Sequence, residues 1–261
     1  MTNKNDFDEK LLLSRALDCV RKAQSRGEAA FLPFLSAAAR LCIEQELKYS
    51  RDDLRLIFYG GYDDADYMCA GFFPSYLFYD EEYDPYADFP IKTVFAKGSG
   101  FRKLTHRDFL GSAMSLGLRR EMMGDIVVAQ DGFSAYIFAY ENTGEYLVSF
   151  FNSAANDRIV CSLCTEKPDI PERKFESVSD TVSSPRLDAI VCSCLNVSRD
   201  TASKLIAAGS VSLDHAVCYD KSEMCDEGCT ISIRHYGRFL LYKIGDRNRR
   251  DRLRIEIRRF V

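Results

Sequence analysis

Short apolar runs and helical segments alternate in a fixed order between Ile91 and Leu163, and few folds accommodate that order. Strands are predicted at residues 91–96, 125–129, 133–139 and 158–163, and helices at residues 105–116 and 141–150. Gln130-Asp131-Gly132 is typical of a hairpin turn between the second and third strands. Thr105-His106-Arg107-Asp108 indicates a capping box, with Asp in place of the usual Glu. The predicted order is therefore β-α-β-β-α-β.

This order is typical of the ferredoxin-like fold, which the RNA-recognition motif shares. We therefore expect a ferredoxin-like (RNA-recognition-motif-like) middle domain over residues 85–165. A motif that stacks bases carries the run K/R-G-F/Y-G/A-F-V-x-F/Y on a strand, and this chain contains no such run. The middle domain is accordingly interpreted as a scaffold or protein-contact module.

The residues before this domain predict a small N-terminal α/β module, residues 1–84. Apolar residues at helical spacing predict two helices between Phe7 and Tyr49, with Pro33 in the first turn of the second helix. A strand at residues 54–59 and a hairpin partner at 67–73 follow. The acidic, turn-rich run from Asp80 to Tyr86 marks the boundary.

The remaining residues predict a linker, 166–184, with a strand at Phe175–Val182, and a C-terminal module, 185–261. Two helices open this module, and Ser198 is a good N-cap for the second. Strands are then predicted around a tight turn at Asp214-His215, at residues 230–234, and in a final hairpin that pairs 239–244 with 253–260. The expected class is α+β, in a multi-domain chain.

Charge is distributed unevenly along the chain, which has a net charge of −4 overall. Residues 185–261 hold 14 basic and 10 acidic residues, and the last 28 residues hold ten basic and three acidic ones. A basic module on an acidic body suggests an anionic partner for that module, with nucleic acid as the leading candidate. A solvated, charged hairpin is the alternative.

Helix N-termini offer free N–H groups to phosphate, and cations near them would follow the backbone of a folded RNA. Double-stranded RNA is recognised mainly by shape, phosphates and 2′-hydroxyls, so we expect little base-specific contact. The candidate RNA-binding residues are Arg186, Ser198, Arg199, Lys204, His215, Lys221, Arg234, Arg238, Arg247, Arg249, Arg250 and Arg252. We expect these cations to converge on one surface.

Three short runs of the C-terminal module resemble the S-four RNA-binding domain, named after the fourth protein of the small ribosomal subunit. They are Arg186-Leu187-Asp188, Asn196-Val197-Ser198-Arg199 and Ala207-Ala208-Gly209-Ser210-Val211. The resemblance implies an S-four domain with an added β-hairpin at the C-terminus. The domain usually carries Asn-Gly where this chain has Asp214-His215, and His215 is a candidate for an added contact to phosphate at this turn.

Upstream runs resemble the YlmH family of bacterial RNA-binding proteins. They are Phe58-Tyr59-Gly60-Gly61-Tyr62, Leu104 to Gly111, Leu116-Gly117-Leu118-Arg119-Arg120 and Gly124-Asp125-Ile126. This resemblance implies a cytosolic protein that binds structured RNA, ribosomal RNA or tRNA. It also implies association with large ribosomal subunits that carry stalled peptidyl-tRNA, in quality control of translation.

Other functions are weaker interpretations of the same residues. Cys161-x-x-Cys164 and Cys225-x-x-x-Cys229 have spacings seen in zinc sites, but they lie in different predicted domains. We therefore expect no metal and no cofactor. Arg186-Leu187-Asp188 is also found in pseudouridine synthases, but here a helix core follows it. His106 has no nucleophile with a defined partner, so a helix-entry role is expected.

Two further hypotheses stay open beside a non-enzymatic RNA binder. One is an RNA-modifying enzyme, of pseudouridine synthase or methyltransferase type, with unrecognised catalytic residues before residue 181. The other is a protein-interaction scaffold. The sequence has neither a membrane-length apolar stretch nor the start of a signal peptide, so a cytoplasmic location is expected.

Overall fold

The computed structural model describes residues 9–47, 53–170, 175–214 and 216–260. The chain forms two compact units, Met1–Pro171 and Glu172–Val261. Both units mix helices with antiparallel sheets, so the expected α+β class is confirmed. Within the described ranges, no helix combines the length and apolar character needed to cross a membrane.

The first unit begins with two helices around a three-stranded sheet. Its elements are α1 (Glu9–Arg26), β1 (Ala30–Leu35), α2 (Ala37–Glu46), β2 (Leu54–Tyr59) and β3 (Met68–Pro74). The strand order is β1-β3-β2, and the apolar faces of α1 and α2 pack on this sheet. The strand and hairpin partner predicted after residue 53 are confirmed. The outer limits of the predicted helical pair, Phe7 and Tyr49, lie outside the described residues.

Strand β1 corrects the prediction that Pro33 opens a helix. Pro33 lies within β1, which is an edge strand, and the pairing with β3 shifts register between Leu32 and Leu35. Proline is tolerated at edges and bulges because it has no N–H to give to a neighbouring strand. The second helix begins only at Ala37, where the Ser36 side chain accepts a hydrogen bond from the Ala39 N–H at 3.3 Å.

The rest of the first unit has the predicted β-α-β-β-α-β order. Its main elements are β4 (Ile91–Lys97), α3 (His106–Met114), β5 (Met123–Val128), β6 (Ser134–Tyr140), α4 (Thr143–Phe150), β7 (Ser153–Ala154), β8 (Asp157–Arg158) and β9 (Val160–Leu163). The sheet order is β5-β6-β4-β9, and every neighbouring pair is antiparallel. This is the strand order of a split βαβ sheet. The strand predicted at 158–163 is interrupted at Ile159, which is buried in the core.

The capping box predicted at the start of α3 is present. The Thr105 side chain accepts from the Asp108 N–H, and the Asp108 carboxylate accepts from the Thr105 N–H at 2.8 Å. The Thr105 N–H, and then the Thr105 hydroxyl, which donates to Asp108 Oδ2 at 2.7 Å, lower the pKa of Asp108, and Arg102 and Arg107 lower it further. A carboxylate with a lowered pKa stabilises the fold above its unfolded pKa, and this contribution is lost as pH falls.

We expect Thr105→Ala to lower the free energy of unfolding of the first unit by about 1 kcal/mol at neutral pH, the usual effect of losing an N-cap. Urea denaturation measures this change, and Thr105→Ser, which keeps the hydroxyl, is the matched control. The difference between the two variants should shrink at acidic pH. A constant difference from pH 7 to pH 2 would contradict the assignment of the capping box.

The second unit places two helices on one face of a six-stranded sheet. Its elements are β10 (Phe175–Val182), α5 (Leu187–Leu195), α6 (Arg199–Ala207), β11 (Val211–Leu213), β12 (Ala216–Val217), β13 (Thr230–Ile233), β14 (Gly237–Arg247) and β15 (Leu253–Phe260). The strand order is β10-β15-β14-β13-β11-β12. The helices bury Leu187, Ile190 and Ile206 against the sheet residues Ile231, Ile233, Phe239, Leu241, Ile255 and Ile257.

Strand β10 shortens the predicted linker, 166–184. It pairs with β15 along its whole length, from Phe175 opposite Phe260 to Val182 opposite Leu253. The strand suggested at Phe175–Val182 is therefore present and belongs to the sheet of the second unit. Its side chains are mostly exposed, and several are polar, so the segment resembles a linker in composition.

Candidate nucleic-acid interface

The start of α6 presents an exposed cation at a capped helix end. Ser198 is the N-cap, and its Oγ accepts a hydrogen bond from the Thr201 N–H at 3.2 Å. Arg199 is the first residue of the helix and is exposed. Among the residues that the structure describes, Arg199 has no carboxylate within ion-pair distance. The positive end of the helix dipole adds to its charge, which suits a phosphate.

A second pair of cations lies at the start of α5. Arg186 precedes this helix, and its Nε donates to Asp188 Oδ1 at 3.2 Å. The Asp188 N–H donates to the Lys221 carbonyl at 3.1 Å, which holds the loop after β12 against the helix. The Lys221 side chain is exposed. Arg186 and Lys221 are therefore brought together although 35 positions separate them in the sequence.

The carboxylate of Asp220 lies within the electrostatic reach of both cations. The Ser222 hydroxyl and N–H donate to Asp220, and these hydrogen bonds are the main cause of its lowered pKa. The charges of Arg186 and Lys221 lower that pKa further. The side chain of Asp220 is thus held by Ser222, and it offsets part of the local positive charge.

Lys204 is in an ion pair. Its Nζ lies 2.7 Å from Asp200 Oδ2 one helical turn earlier, and both side chains are exposed. The hydrogen bond to Asp200, and then the charge of this carboxylate, raise the pKa of Lys204. An exposed pair of this kind has little net charge to offer a phosphate. The prediction that Lys204 contacts RNA is weakened by this partner.

Arg238 lies on the other face of the sheet. It alternates with the buried Phe239, so its side chain is opposite the face that α5 and α6 cover. Its guanidinium lies over the Phe260 ring at 4.4 Å, and the Phe260 and Phe175 rings are 5.0 Å apart. The Arg258 guanidinium lies over the Tyr242 ring at 3.2 Å. This face carries alternating arginine and aromatic side chains.

Arg258 is a cation of this face that is absent from the candidates predicted from the sequence. The signal was present, since Arg254, Glu256 and Arg258 alternate with Ile255 and Ile257 along β15. Part of the charge of Arg258 is offset by Glu256, whose Oε1 lies 3.4 Å from the Arg258 Nε.

At the tip of the last hairpin four arginines are exposed, and two of them, Arg247 and Arg252, are also tethered by neighbouring groups. Arg247 pairs with Asp251 at 3.3 Å, and the Arg252 Nε donates to the Thr181 Oγ1 at 3.1 Å. Arg249 and Arg250 are exposed, and within the described ranges neither has a carboxylate partner. Arg234 is likewise exposed, in the turn after β13.

The tight turn predicted after β11 is present at Asp214, which has a positive φ of 44°. Its Oδ1 accepts a hydrogen bond from the Thr230 N–H at 2.7 Å, so the turn is tied to β13. His215, the other predicted turn residue and a candidate phosphate contact, lies outside the described residues.

The expectation that all candidate cations converge on one surface is therefore wrong. Arg186, Arg199 and Lys221 lie on the helix side of the sheet, and we call them the helix-side cations. Arg238 lies on the opposite face because side chains alternate along a strand, and the hairpin cations occupy the tip of β14 and β15. Phosphate contact by the helix-side cations does not need the others.

The upstream runs that resemble the YlmH family form a structural contact inside the first unit. Asp125 accepts hydrogen bonds from the Tyr62 hydroxyl at 2.7 Å, from the Asp66 N–H at 2.7 Å and from the Tyr67 N–H at 3.2 Å. The Arg120 guanidinium lies over the Tyr67 ring at 4.0 Å. We call Asp125 with these partners the Asp125 clasp, and its role is to fix the loop before β3.

The residues weighed for catalysis or metal binding are mostly partnered or buried. Burial, and then the charge of Arg120, lower the pKa of His106 at the start of α3. Asp188, the candidate from the pseudouridine synthase hypothesis, is buried and paired with Arg186. All ten cysteines are free thiols, and the described part of the chain places no three His, Cys, Asp or Glu side chains where they could hold a metal.

A part of the first unit matches a known family of protein domains. Residues 86–162 match a family described as "Putative RNA-binding domain in YlmH". This region corresponds to the predicted middle domain. The description of the family favours RNA binding by that domain over the scaffold or protein-contact role expected from the sequence.

Two individual proteins are similar to the whole chain or to a large part of it. "Ribosome-associated protein quality control protein P2" of Bacillus subtilis (strain 168) is 29% identical over 258 residues, which cover 97% of this chain and 95% of that protein. The solved structure of cell division protein YlmH from Streptococcus pneumoniae has a similar fold, with a TM-score of 0.50 and 17% identity. That match covers 66% of this chain and 99% of the solved one. The predicted resemblance to the YlmH family is confirmed.

Proposed function

We propose that this chain is a non-enzymatic RNA-binding protein of translation quality control. Its C-terminal unit would be an S-four domain with an added hairpin, which binds structured RNA, ribosomal RNA or tRNA. It would act in the cytoplasm on large ribosomal subunits that carry stalled peptidyl-tRNA. The near full-length similarity to a protein named for ribosome-associated quality control supports this role.

The observation that carries the proposal is the placement of the helix-side cations. Arg199 extends the positive end of α6, and the packing of the 220–224 loop on α5 adds Arg186 and Lys221 to the same side of the sheet. A folded RNA backbone presents regularly spaced phosphates, which such a surface can neutralise without contacting bases.

The domain layout is part of the proposal. We propose an N-terminal α/β module, 1–84, and a ferredoxin-like domain, 85–165, within the first unit, and an RNA-binding module that includes 185–261 within the second. The strand order β5-β6-β4-β9 supports the ferredoxin-like assignment.

Salt dependence tests the binding mode directly. If about four phosphates are neutralised, the logarithm of the association constant should fall with the logarithm of salt concentration with a slope of about −3 to −4. Fluorescence anisotropy of a labelled RNA hairpin with the full chain measures this slope. A DNA hairpin of the same sequence is the control and should bind more weakly, because it lacks the 2′-hydroxyls. A flat response to salt would contradict phosphate recognition.

The non-enzymatic part of the proposal has its own test. Mass spectrometry of ribosomal RNA and tRNA from cells that lack the protein should find every modification that the parent cells contain. A missing modified nucleoside, restored by the wild-type gene, would instead assign the chain to RNA modification.

A further inference from the structure

The loop between β4 and α3 is held by hydrogen bonds at both ends. The Gly98 N–H donates to the Phe133 carbonyl and the Leu104 N–H to the Gly132 carbonyl, each at 2.7 Å. Next to Gly98, the Ser99 N–H donates to Asp157 Oδ2 at 3.0 Å. We call residues 98–104 the β4–α3 loop. These bonds tie it to the β5–β6 turn and to β8, so its conformation is fixed by the domain.

Phe101 projects from this fixed loop into solvent. Its side chain is 97% exposed, whereas Leu104, three residues later, is 3% exposed and packs in the core. Gly100, just before it, has a φ of +86°, and a Cβ there would meet no atom within 4 Å, so the space around the tip is open. An exposed aromatic ring on an anchored loop offers a face on which a nucleobase can stack.

The charged residues that flank the exposed ring in the sequence are all basic. Residues 97–107 contain Lys97, Arg102, Lys103 and Arg107 and no carboxylate, although residues 86–162 hold equal numbers of basic and acidic residues. The carboxylates near the loop are already engaged, since Asp157 accepts from Ser99, Asp108 caps α3 and Asp131 accepts from the Phe133 N–H. The Arg102 side chain donates to the Ala155 carbonyl at 3.0 Å, and a carbonyl brings no negative charge to offset that of a guanidinium.

We propose that the β4–α3 loop is a second RNA-binding site, which takes single-stranded RNA. A base would stack on Phe101, and the flanking phosphates would contact Arg102 and Lys103. Stacking on one exposed ring requires an unpaired base, so this site differs in substrate from the helix-side cations. The inference rests on the proposed function and deepens it, because the loop lies within the region matched to the RNA-binding family.

The combination of ring and charge favours RNA over a protein partner. Single-strand binders join a cationic surface to aromatic rings on which bases stack, with little sequence preference. The centre of a protein–protein interface is depleted of lysine, whereas here Lys103 lies two residues after Phe101 and Lys97 four residues before it.

The chain contains no tryptophan, which allows a direct test. Phe101→Trp in the full chain introduces a single tryptophan at the loop tip. Adding a single-stranded RNA of about 12 nucleotides, within the usual site sizes, should quench its fluorescence through stacking. The matched control is Tyr79→Trp, because Tyr79 is 83% exposed but lies beside the acidic residues Asp80, Glu81 and Glu82. The control fluorescence should not change.

Affinity gives a second, independent measurement. Phe101→Ala should weaken binding of the single-stranded RNA by about tenfold, the usual effect of losing one stacked base. Its melting temperature should equal that of the wild-type chain, since the lost side chain is not part of the core. Unchanged single-strand affinity, together with no quenching in Phe101→Trp, would overturn the inference.

The two proposals fail in different ways. Dependence of hairpin binding on Arg199 reports on the helix-side cations, and dependence of single-strand binding on Phe101 reports on the β4–α3 loop. Hairpin binding that depends on Arg199 while Phe101→Ala leaves single-strand binding intact would remove only the loop proposal. Loss of ribosome association in Phe101→Ala without any loss of single-strand affinity would assign the loop to a protein contact, and would also overturn the inference.

Discussion

Arg199→Glu combined with Lys221→Glu is expected to weaken binding of the RNA hairpin about 100-fold at low salt. Each substitution removes a charge-assisted hydrogen bond to phosphate, which contributes roughly 1.5–3 kcal/mol. Both side chains are exposed, so the fold should tolerate the change. The salt slope should also become shallower by about 2, since two phosphate contacts are lost. Fluorescence anisotropy across a salt series measures both effects.

The ion pair on α6 supplies a matched control for this prediction. Lys204→Gln combined with Asp200→Asn removes one positive and one negative charge from the same helix, so the net charge is unchanged. Its affinity for the hairpin should stay close to that of the wild-type chain. Equal losses in both double variants would mean that the surface of α6 in general, and not the helix-side cations, determines binding.

Asp125→Ala is expected to lower the free energy of unfolding of the first unit by about 3 kcal/mol. The substitution leaves the Tyr62 hydroxyl and two backbone N–H groups without their acceptor, and hydrogen bonds to a charged group are the stronger ones. The loop before β3 should lose its fixed position as well. Urea denaturation measures the stability, and amide exchange at Asp66 and Tyr67 reports on the loop.

Two further variants serve as controls for the loss of stability in Asp125→Ala. Asp125→Asn keeps an acceptor oxygen and should lose about half as much stability, since the neutral bonds are weaker. Asp131→Ala removes a carboxylate that accepts a single hydrogen bond in the exposed β5–β6 turn, from the Phe133 N–H at 2.8 Å. It should have a small effect. An equal effect of Asp131→Ala and Asp125→Ala would remove the special role of the Asp125 clasp.

Features with a local cause were predicted correctly from the sequence. The capping box at Thr105, the N-cap at Ser198 and the glycine turn at Gly132 each depend on residues within four positions of one another. The alternation of β15 also appears in the sequence because one face of that strand is buried and the other is not.

Features that depend on distant partners were predicted less well. The strand at Pro33 forms because β3, more than thirty residues away, pairs with it, and the local sequence favours a helix start. Strand β10 has the polar composition of a linker and belongs to the sheet only because β15 pairs with it. Long-range pairing of this kind leaves little trace in the residues themselves.

The candidate site shows the same division. The sequence identifies which residues are cationic. Arg238 is separate from Arg199 because the helices cover only one face of the sheet, and the sequence does not show which face that is. The ion pair between Lys204 and Asp200 follows from their spacing of four residues on a helix, although the sequence-based prediction did not include this pair. The exposure of Phe101 depends on how the β4–α3 loop is anchored, which requires the fold.

Crosslinking of the full chain to RNA in cells tests the central claim most directly. Crosslinked peptides and the attached RNA are sequenced together, so protein site and RNA identity come from one measurement. We predict crosslinks in the second unit at or beside Arg199 and Lys221, attached to ribosomal RNA or tRNA. Crosslinks absent from residues 175–260, or attached only to unstructured messenger RNA, would contradict the account.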